Sequence, residues 1–225
     1  MVEKIDQFYD EAFEEVMGTG LIGSFWRFIH NQMNRTIDWP PTPIVLEVGA
    51  GHGQHYDQTN PDCALFIETD IREAMGYTEN FVKADLLRRG RIKRKVNAEI
   101  LAGVPDNSID IVIATCILAH LANAKSALSE WRRVTKIGGS IIIYVPCEPG
   151  LFLRFIRSLS TARKFKSKGI EQKEIHWLEH RNHYLFLDIL LHKVFGSDST
   201  KIRKFPFKHL PWDLNLYSIY TVTKL

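Results

Sequence analysis

Residues 45–55, VLEVGAGHGQH, constrain the fold more than any other part of this chain. The apolar run before Gly49 predicts a buried strand, because it is rich in aliphatic and β-branched residues. Gly49, Gly51 and Gly53 follow, and glycine lets the backbone turn sharply and approach a ligand without a Cβ in the way. A buried strand that ends in such a turn predicts a parallel sheet with a ligand site at its carboxyl edge.

Strand-like and helix-like segments alternate on both sides of this turn. Short β-rich runs predict the strands, and the stretches between them have helical periodicity. The predicted strands lie at residues 44–48, 64–69, 92–96, 110–115 and 140–145, and the predicted helices lie near 72–80 and at 123–135. Because this alternation implies βαβ units, we expect a doubly wound, Rossmann-like α/β domain with a mostly parallel sheet and helices on both faces.

The chain before residue 39 predicts helices. Residues 3–34 place apolar side chains at helical spacing, with a break near Gly18. A proline-rich segment then ends any helix and leads into the first strand. We therefore expect residues 1–38 to form a helical cap over the ligand site and residues 39–225 to form the main domain.

The C-terminal third differs from the rest of the chain in charge. Residues 150–225 contain 14 Lys and Arg against 6 Asp and Glu, whereas residues 1–149 contain 15 against 20. A basic region of this kind is either a solvated face or a surface that attracts an anionic partner. We expect inserted helices around residues 150–210 that bind the substrate, followed by an antiparallel strand at residues 216–224.

The composition excludes several classes of protein. The chain has 225 residues, of which 45% are hydrophobic, which suits one large folded domain. No apolar run reaches the roughly 18 residues that span a bilayer, and the acidic N-terminus differs from a secretory signal. Cys63, Cys116 and Cys147 have no C-x-x-C spacing. We therefore expect a cytoplasmic protein without disulfides, without a membrane span and without a bound metal.

The glycine turn departs from the dinucleotide-binding pattern G-x-G-x-x-G, because Gln54 stands where the third glycine belongs. Its pattern is E-x-G-x-G-x-G, with Glu47 inside the strand. This arrangement resembles motif I of class I S-adenosylmethionine-dependent methyltransferases. The resemblance implies that the turn passes beneath the methionine part of the cofactor and that Glu47 helps to position this part. The turn residues assigned to the cofactor are Gly49, Ala50, Gly51 and Gly53.

A carboxylate ends the second predicted strand. In residues 66–70, FIETD, Asp70 lies about 20 residues past the glycine turn, where an acid can accept hydrogen bonds from both ribose hydroxyls. We assign Asp70 to the ribose and Ile71 to the adenine. Glu68 is the alternative ribose acid, although it stands before the end of the strand.

Residues 97–146 extend the resemblance. They contain P-x-N-S-x-D before the fourth strand and K-x-G-G before the fifth, in the order of the small-molecule methyltransferases. The resemblance implies that Asn97 and Ala98 contact the adenine. Asn97 stands where the family usually has Asp, which keeps hydrogen bonding but loses the charge. Thr115 is also assigned to the cofactor, which the resemblance identifies as S-adenosylmethionine, with S-adenosylhomocysteine as the product.

The acceptor side of the site is predicted from histidines. Methyl transfer requires an acceptor that is aligned with the methyl group and, for an oxygen nucleophile, a group that removes a proton. His120 follows the fourth strand, where related enzymes often carry a histidine, and we assign it as the base. The segment EIHWLEHRNHY, residues 174–184, is predicted to line the acceptor pocket. Its assigned residues are His176, His180, Arg181, His183 and Tyr184.

Several alternatives remain open at this stage. The inverted zinc pattern H-x-x-E-H fits residues 176–180. Cys116 or Cys147 could act as a nucleophile, although Thr-Cys and Pro-Cys come in the opposite order from the RNA cytosine-5 enzymes. The basic run at residues 86–95 could contact phosphates in an RNA-directed methyltransferase. A regulatory protein that binds the cofactor without catalysis is a further alternative.

Taken together, these patterns predict an S-adenosylmethionine-dependent methyltransferase that acts on an oxygen or nitrogen atom of a small polar acceptor. The basic C-terminal third favours an anionic acceptor. A nucleic acid substrate is not expected. The identity of the acceptor and the oligomeric state are left open by the sequence.

Overall fold

In the computed structural model, which describes residues 18–59, 61–160, 165 and 179–225, seven strands form one sheet. The strands are β1 (Ile44–Val48), β2 (Leu65–Asp70), β3 (Gly90–Lys95), β4 (Ile109–Thr115), β5 (Thr135–Pro146), β6 (Ser199–Phe205) and β7 (Tyr217–Thr223). The α-helices in these ranges are α1 (Gly20–Asn34), α2 (Gln54–Thr59), α3 (Ala124–Val134), α4 (Leu151–Ser160) and α5 (Tyr184–Val194). None of them is long and apolar enough to cross a membrane.

The strands lie in the order β3-β2-β1-β4-β5-β7-β6. Neighbouring strands are parallel except for β7, which runs antiparallel to both β5 and β6. The chain order reverses between β1 and β4, and this reversal opens a crevice at the carboxyl ends of the strands. The prediction of a doubly wound, mostly parallel sheet with a late antiparallel strand is confirmed.

Helices cover both faces of the sheet. Trp131 of α3 and Leu187 of α5 are buried in the core on one face, and Ile29 and Met33 of α1 are fully buried on the other. Helix α1 therefore belongs to the same core as the sheet, although the sequence places it in a separate cap at residues 1–38. Residues 1–17 lie outside the described ranges, so a covering role over the cofactor remains a prediction.

The capping and amphipathic pattern of α3 explain its position. The Asn123 side chain accepts a hydrogen bond from the backbone N–H of Ser126 at 3.0 Å, which satisfies one of the free donors at the helix start. Its buried residues recur at helical spacing and face the sheet. The Trp131 indole also donates to the Ala98 carbonyl oxygen at 2.9 Å, so α3 fixes the loop that follows β3.

Two predicted elements differ from the structure. The helix expected near residues 72–80 is only a 3₁₀ turn, Glu73–Met75, because Gly76 takes a left-handed conformation with φ 88° and the fully buried Tyr77 follows it. Strand β5 begins at Thr135 rather than at residue 140. Its early part is held by Lys224, whose backbone N–H donates to the Gly139 carbonyl oxygen at 3.0 Å.

Candidate active site

The glycine turn after β1 is closely packed at both ends and open in the middle. Gly49, Gly51 and Gly53 have φ values of 65°, 55° and 79°, in the region that favours glycine. A Cβ on Gly49 would lie 2.5 Å from the side chain of Ile117, and one on Gly53 would lie 2.5 Å from the carboxylate of Glu68. Around Gly51, no atom of the described part of the chain lies within 4 Å of such a Cβ. The turn therefore leaves a cradle at Gly51 that a ligand could fill.

Asp70, the last residue of β2, holds this turn in place. Its carboxylate accepts hydrogen bonds from the backbone N–H groups of Gly51 at 3.0 Å, Ile71 at 2.8 Å and Arg72 at 3.1 Å. An ionised carboxylate has about four acceptor positions, so this network leaves capacity for a further donor. The structure places Asp70 beside the cradle, and its contact with the ribose remains a prediction.

Buried carboxylates surround the turn. Glu47, Glu68 and Asp70 are each at most 4% exposed. Arg91 of β3 partly compensates them, because it donates to Glu68 Oε1 at 2.7 Å. Glu47 Oε2 has no hydrogen-bond partner among the described residues, and burial, followed by the charge of Glu68, raises the pKa of Glu47 well above its ordinary value. A buried carboxylate with one oxygen unpartnered among the described residues, in the strand that leads into the open cradle, suits a cationic ligand.

The other residues assigned to the cofactor lie at or just after the carboxyl ends of β2, β3 and β4. Ile71 is 61% exposed, which leaves its side chain available to a ligand. Asn97 accepts a hydrogen bond from the backbone N–H of Glu99 at 2.8 Å. Ala98 is buried, and the Thr115 hydroxyl lies 3.7 Å from the sulfur of Met33. All four lie along one edge of the sheet, and their contacts with the cofactor remain predictions.

A second polar group lies at the carboxyl ends of β4 and β5. One potential ligand atom from each of Cys116, His120 and His180 lies within 4.8 Å of the other two. The rings of His120 and His180 meet edge to face, with centroids 4.4 Å apart. Glu148 is 6% exposed and hydrogen-bonds to His180 Nδ1. When Nδ1 donates to the carboxylate, the lone pair of the neutral ring is on Nε2.

Local backbone structure brings this group together. Cys116, with φ 62°, and His120 flank the 3₁₀ turn Ile117–Ala119. Asn182 fixes the segment that carries His180 to the same turn, because its side-chain amide donates to the carbonyl oxygens of Leu118 and Leu121 at 3.1 and 2.7 Å. The Ile117 side chain of this 3₁₀ turn lies against Gly49, so the 3₁₀ turn packs directly on the glycine turn.

The remaining residues assigned to the acceptor differ in their burial where the structure describes them. His176 lies outside the described residues. Arg181 and His183 are exposed, and both are close in sequence to His180. Tyr184 is 3% exposed, its ring stacks on Trp212, and its hydroxyl lies 2.9 Å from the Ser218 hydroxyl. This corrects the expectation that Tyr184 lines an open pocket, because its side chain is part of the core.

The sequence interpretation missed three residues of these networks. Arg157 of α4 pairs with Glu148, and Glu148 holds His180. Arg91 pairs with Glu68 beneath the glycine turn. Glu148 carried a usable signal, because it follows a strongly apolar strand, just as Asp70 ends one. Arg91 and Arg157 carried no such sequence signal, because basic residues are common near their positions.

The structure also bears on two of the alternatives. Burial raises the pKa of the Cys116 and Cys147 thiols to about 12, and a protonated thiol is a poor nucleophile. In the basic run at residues 86–95, Arg94 pairs with the buried carboxylate of Asp85 at 2.7 Å, and Lys95 pairs with Glu73. This pairing reduces the charge that the run can offer to phosphates.

Comparisons with known proteins agree with this geometry. Residues 46–143 match the family model described as a methyltransferase domain. No curated protein matches the chain.

Solved structures share the fold over most of the chain. A Thermotoga maritima S-adenosylmethionine-dependent methyltransferase, described as a possible histamine N-methyltransferase, is 17% identical with a TM-score of 0.62, and the match covers 100% of both chains. The CurJ carbon methyltransferase is 15% identical with a TM-score of 0.61, over 95% of this chain and 58% of that one. Phosphoethanolamine N-methyltransferase 2 of Haemonchus contortus, in complex with phosphomonomethylethanolamine and S-adenosylhomocysteine, is 14% identical with a TM-score of 0.61, over 99% of this chain and 60% of that one. At these identities the similarity shows the fold alone.

Proposed function

We propose that this chain is a class I S-adenosylmethionine-dependent methyltransferase and that it methylates an oxygen or nitrogen atom of a small polar acceptor. The observation that carries the proposal is the buried Glu148–His180 pair beside His120, on the sheet edge next to the glycine turn. A histidine whose ring is oriented by a carboxylate is suited to proton transfer. Oxygen and protonated nitrogen nucleophiles both need such a step.

The residues around the glycine turn fit the cofactor. S-adenosylmethionine supplies an electrophilic methyl group on a sulfonium sulfur, and its two cationic groups outnumber its one carboxylate. The buried acids Glu47 and Asp70 complement this net positive charge, and the open side of Gly51 gives the ligand room. The residues that would hold it are Glu47, Gly49, Ala50, Gly51, Gly53, Asp70, Ile71, Asn97, Ala98 and Thr115.

The residues at the ends of β4 and β5 act on the acceptor. Glu148 orients His180 through Nδ1, and the edge-to-face contact positions His120 against the His180 ring. His120 removes the proton from the acceptor atom as the bond to carbon forms. Ile117 packs directly against Gly49, so the acceptor residues lie next to the glycine turn that would hold the cofactor.

The charge of the acceptor side favours an anionic acceptor. The exposed Arg181 follows His180 directly. The C-terminal third of the chain is basic as a whole. The Haemonchus contortus neighbour was solved with phosphomonomethylethanolamine, a small anionic amine, which supports the same class of acceptor for this chain.

The proposal is tested by S-adenosylhomocysteine formation with a panel of small alcohols, amines and their phosphorylated or carboxylated forms, with a structured RNA as a further substrate. We expect turnover with a small polar acceptor and a methylated oxygen or nitrogen in the product. Turnover on RNA only, or a product methylated at carbon, would contradict the proposal. Cofactor binding without turnover on any member would favour the regulatory alternative.

A further inference from the structure

The cluster of Cys116, His120 and His180 has a donor set that suits a metal ion as well as an acceptor. Within the described ranges, this is a group of three side chains whose potential ligand atoms all lie within 4.8 Å of one another. We propose that it binds one Zn²⁺ through Cys116 Sγ and one nitrogen from each of His120 and His180, and that the Cys116 thiol releases its proton to solvent as the ion binds.

The donor types select the ion. One thiolate and two imidazoles suit zinc and similar borderline-soft ions, whereas magnesium and calcium prefer oxygen donors. Bound zinc has sulfur and nitrogen ligands at about 2.0–2.3 Å from the metal, so neighbouring ligand atoms lie between 3 and 4 Å apart, as estimated from tetrahedral geometry. The three potential ligand atoms lie within 4.8 Å of one another, so small side-chain rotations would bring them to these distances.

The surroundings resemble those of a metal ligand shell. Histidine ligands of zinc commonly donate their other ring nitrogen to a carboxylate, which fixes the ring orientation. His180 makes this contact with Glu148, a buried carboxylate that also pairs with Arg157. The same bond directs Nε2 of the neutral His180 ring away from the carboxylate.

The backbone holds the three donors in place. Cys116 is a non-glycine residue in the left-handed region, with φ 62°, and such positions persist where the surrounding structure fixes them. His120 closes the same 3₁₀ turn, and its backbone N–H donates to the Ile117 carbonyl oxygen at 2.9 Å. Asn182 ties the His180 segment to this turn through two side-chain hydrogen bonds.

A zinc site with three protein ligands keeps one coordination position for water or for substrate. Because this cluster lies at the proposed acceptor site, that position would take a hydroxyl or amine of the acceptor and lower its pKa. With the ion bound, His120 would be a ligand, and the zinc would take the place of His120 in assisting loss of the acceptor proton. This consequence rests on the proposed function. The binding of the ion itself does not.

The test uses the full-length protein stripped with a chelator and titrated with Co²⁺, followed by competition with Zn²⁺. We expect one ion per chain and a thiolate-to-cobalt charge-transfer band. Cys116→Ser should abolish the band, and His120→Ala and His180→Ala should weaken Zn²⁺ binding at least about tenfold. Glu148→Gln, which leaves all three ligands in place, should weaken it about 10- to 100-fold.

Matched controls are available in the same chain. Cys63→Ser removes a half-buried cysteine and His192→Ala removes an exposed histidine of α5, and both should bind as the parent does. No charge-transfer band in the folded parent, or a band that survives Cys116→Ser, would overturn the proposal. Cofactor titration of the same samples separates the two proposals: cofactor binding without cobalt binding removes only the metal site.

Discussion

The carboxyl edge of the sheet has two halves with different chemistry. Around the glycine turn, Glu47, Glu68 and Asp70 are buried, and Arg91 only partly compensates them. At the ends of β4 and β5, imidazoles and a thiol dominate, and the buried carboxylate of Glu148 is paired with both a histidine and an arginine. The buried acids of the first half suit a cationic ligand, and the imidazoles of the second half suit proton transfer. Methyl transfer from a sulfonium to an oxygen atom uses both functions side by side.

The two halves are also independent enough to be separated by mutation. They meet where Ile117 packs on Gly49, and their hydrogen-bond networks otherwise involve different residues. A change in the first half should therefore act on cofactor affinity, and a change in the second on turnover.

The largest expected effect comes from the acceptor half. His120→Ala should lower kcat by about 10² to 10⁴-fold, because a general base contributes in that range, while cofactor affinity changes less than about threefold. Steady-state kinetics on an acceptor from the panel, together with calorimetry of the cofactor, measures both quantities. His192→Ala is the matched control and should keep parental kcat. Loss of cofactor affinity in His120→Ala would show that the halves are not separate.

Gly51→Val should weaken cofactor binding by about 100-fold or more, because it places a side chain in the open cradle and a β-branched residue at φ 55°. Gly138→Val is a close control. Gly138 has φ 78°, and none of the described residues lies within 4 Å of its Cβ position, so it carries similar backbone strain away from the site. Equal cofactor affinity in the two variants, measured by calorimetry, would place the cofactor elsewhere.

Glu47→Gln should weaken cofactor binding by about 10- to 100-fold, since a hydrogen bond to a charged group contributes about 1.5–3 kcal/mol. The raised pKa of Glu47 adds a pH dependence: as the pH falls towards that pKa, the carboxyl becomes neutral and the parent loses affinity. The variant should lack this part of the pH dependence. Glu79→Gln, at an exposed glutamate, should keep the cofactor affinity of the parent and the pH dependence of that affinity.

The difference between the halves explains which parts of the site the sequence could predict. The glycine turn and its acids come from residues 45–70, one continuous stretch in which strand, turn and terminal acid appear in order. The acceptor half joins residues 116–120, 148 and 180, which only the folded chain brings together. His120 and His180 were assigned to the acceptor from their residue type, and the structure brings them together, whereas Glu148 and Arg157 were not singled out. Tyr184 was misassigned because an aromatic residue after a helix start can face either the core or a pocket.

The fold could also be predicted because it depends on signals that are local in the sequence. The alternation of strands and helices is a local signal, and β1, β2 and β4 lie where it placed them. The prediction of a helix at residues 72–80 was wrong because Gly76 takes a left-handed conformation and turns the chain. The spacing of apolar residues does not show where such a residue will interrupt a helix.

The last predicted effect concerns stability rather than binding or turnover, at the contact between α1 and the cofactor half. His30 and His55 are both buried and their Nδ1 atoms lie 3.0 Å apart. Burial lowers the pKa of His30 to about 4 and that of His55 well below 6.5. Since the unfolded chain binds these protons at about pH 6.5, the free energy of unfolding should fall as the pH decreases from 6.5 towards 4, by about 3 kcal/mol for His30 alone.

His30→Leu should flatten this pH dependence, and His192→Leu, at an exposed position, should leave it unchanged. Urea unfolding at pH 6.5, 5.5 and 5.0 measures the slope. A parental slope in His30→Leu would show that the buried histidine does not contribute to it.

The central claim is that the glycine turn, Glu47 and Asp70 form a site for S-adenosylmethionine, and calorimetric titration of the folded protein tests it most directly. We predict binding of both S-adenosylmethionine and S-adenosylhomocysteine at one site per chain with a Kd in the micromolar range, on the order of −8 kcal/mol. The absence of binding heat at millimolar concentrations of either ligand, in a protein shown to be folded, would contradict the account.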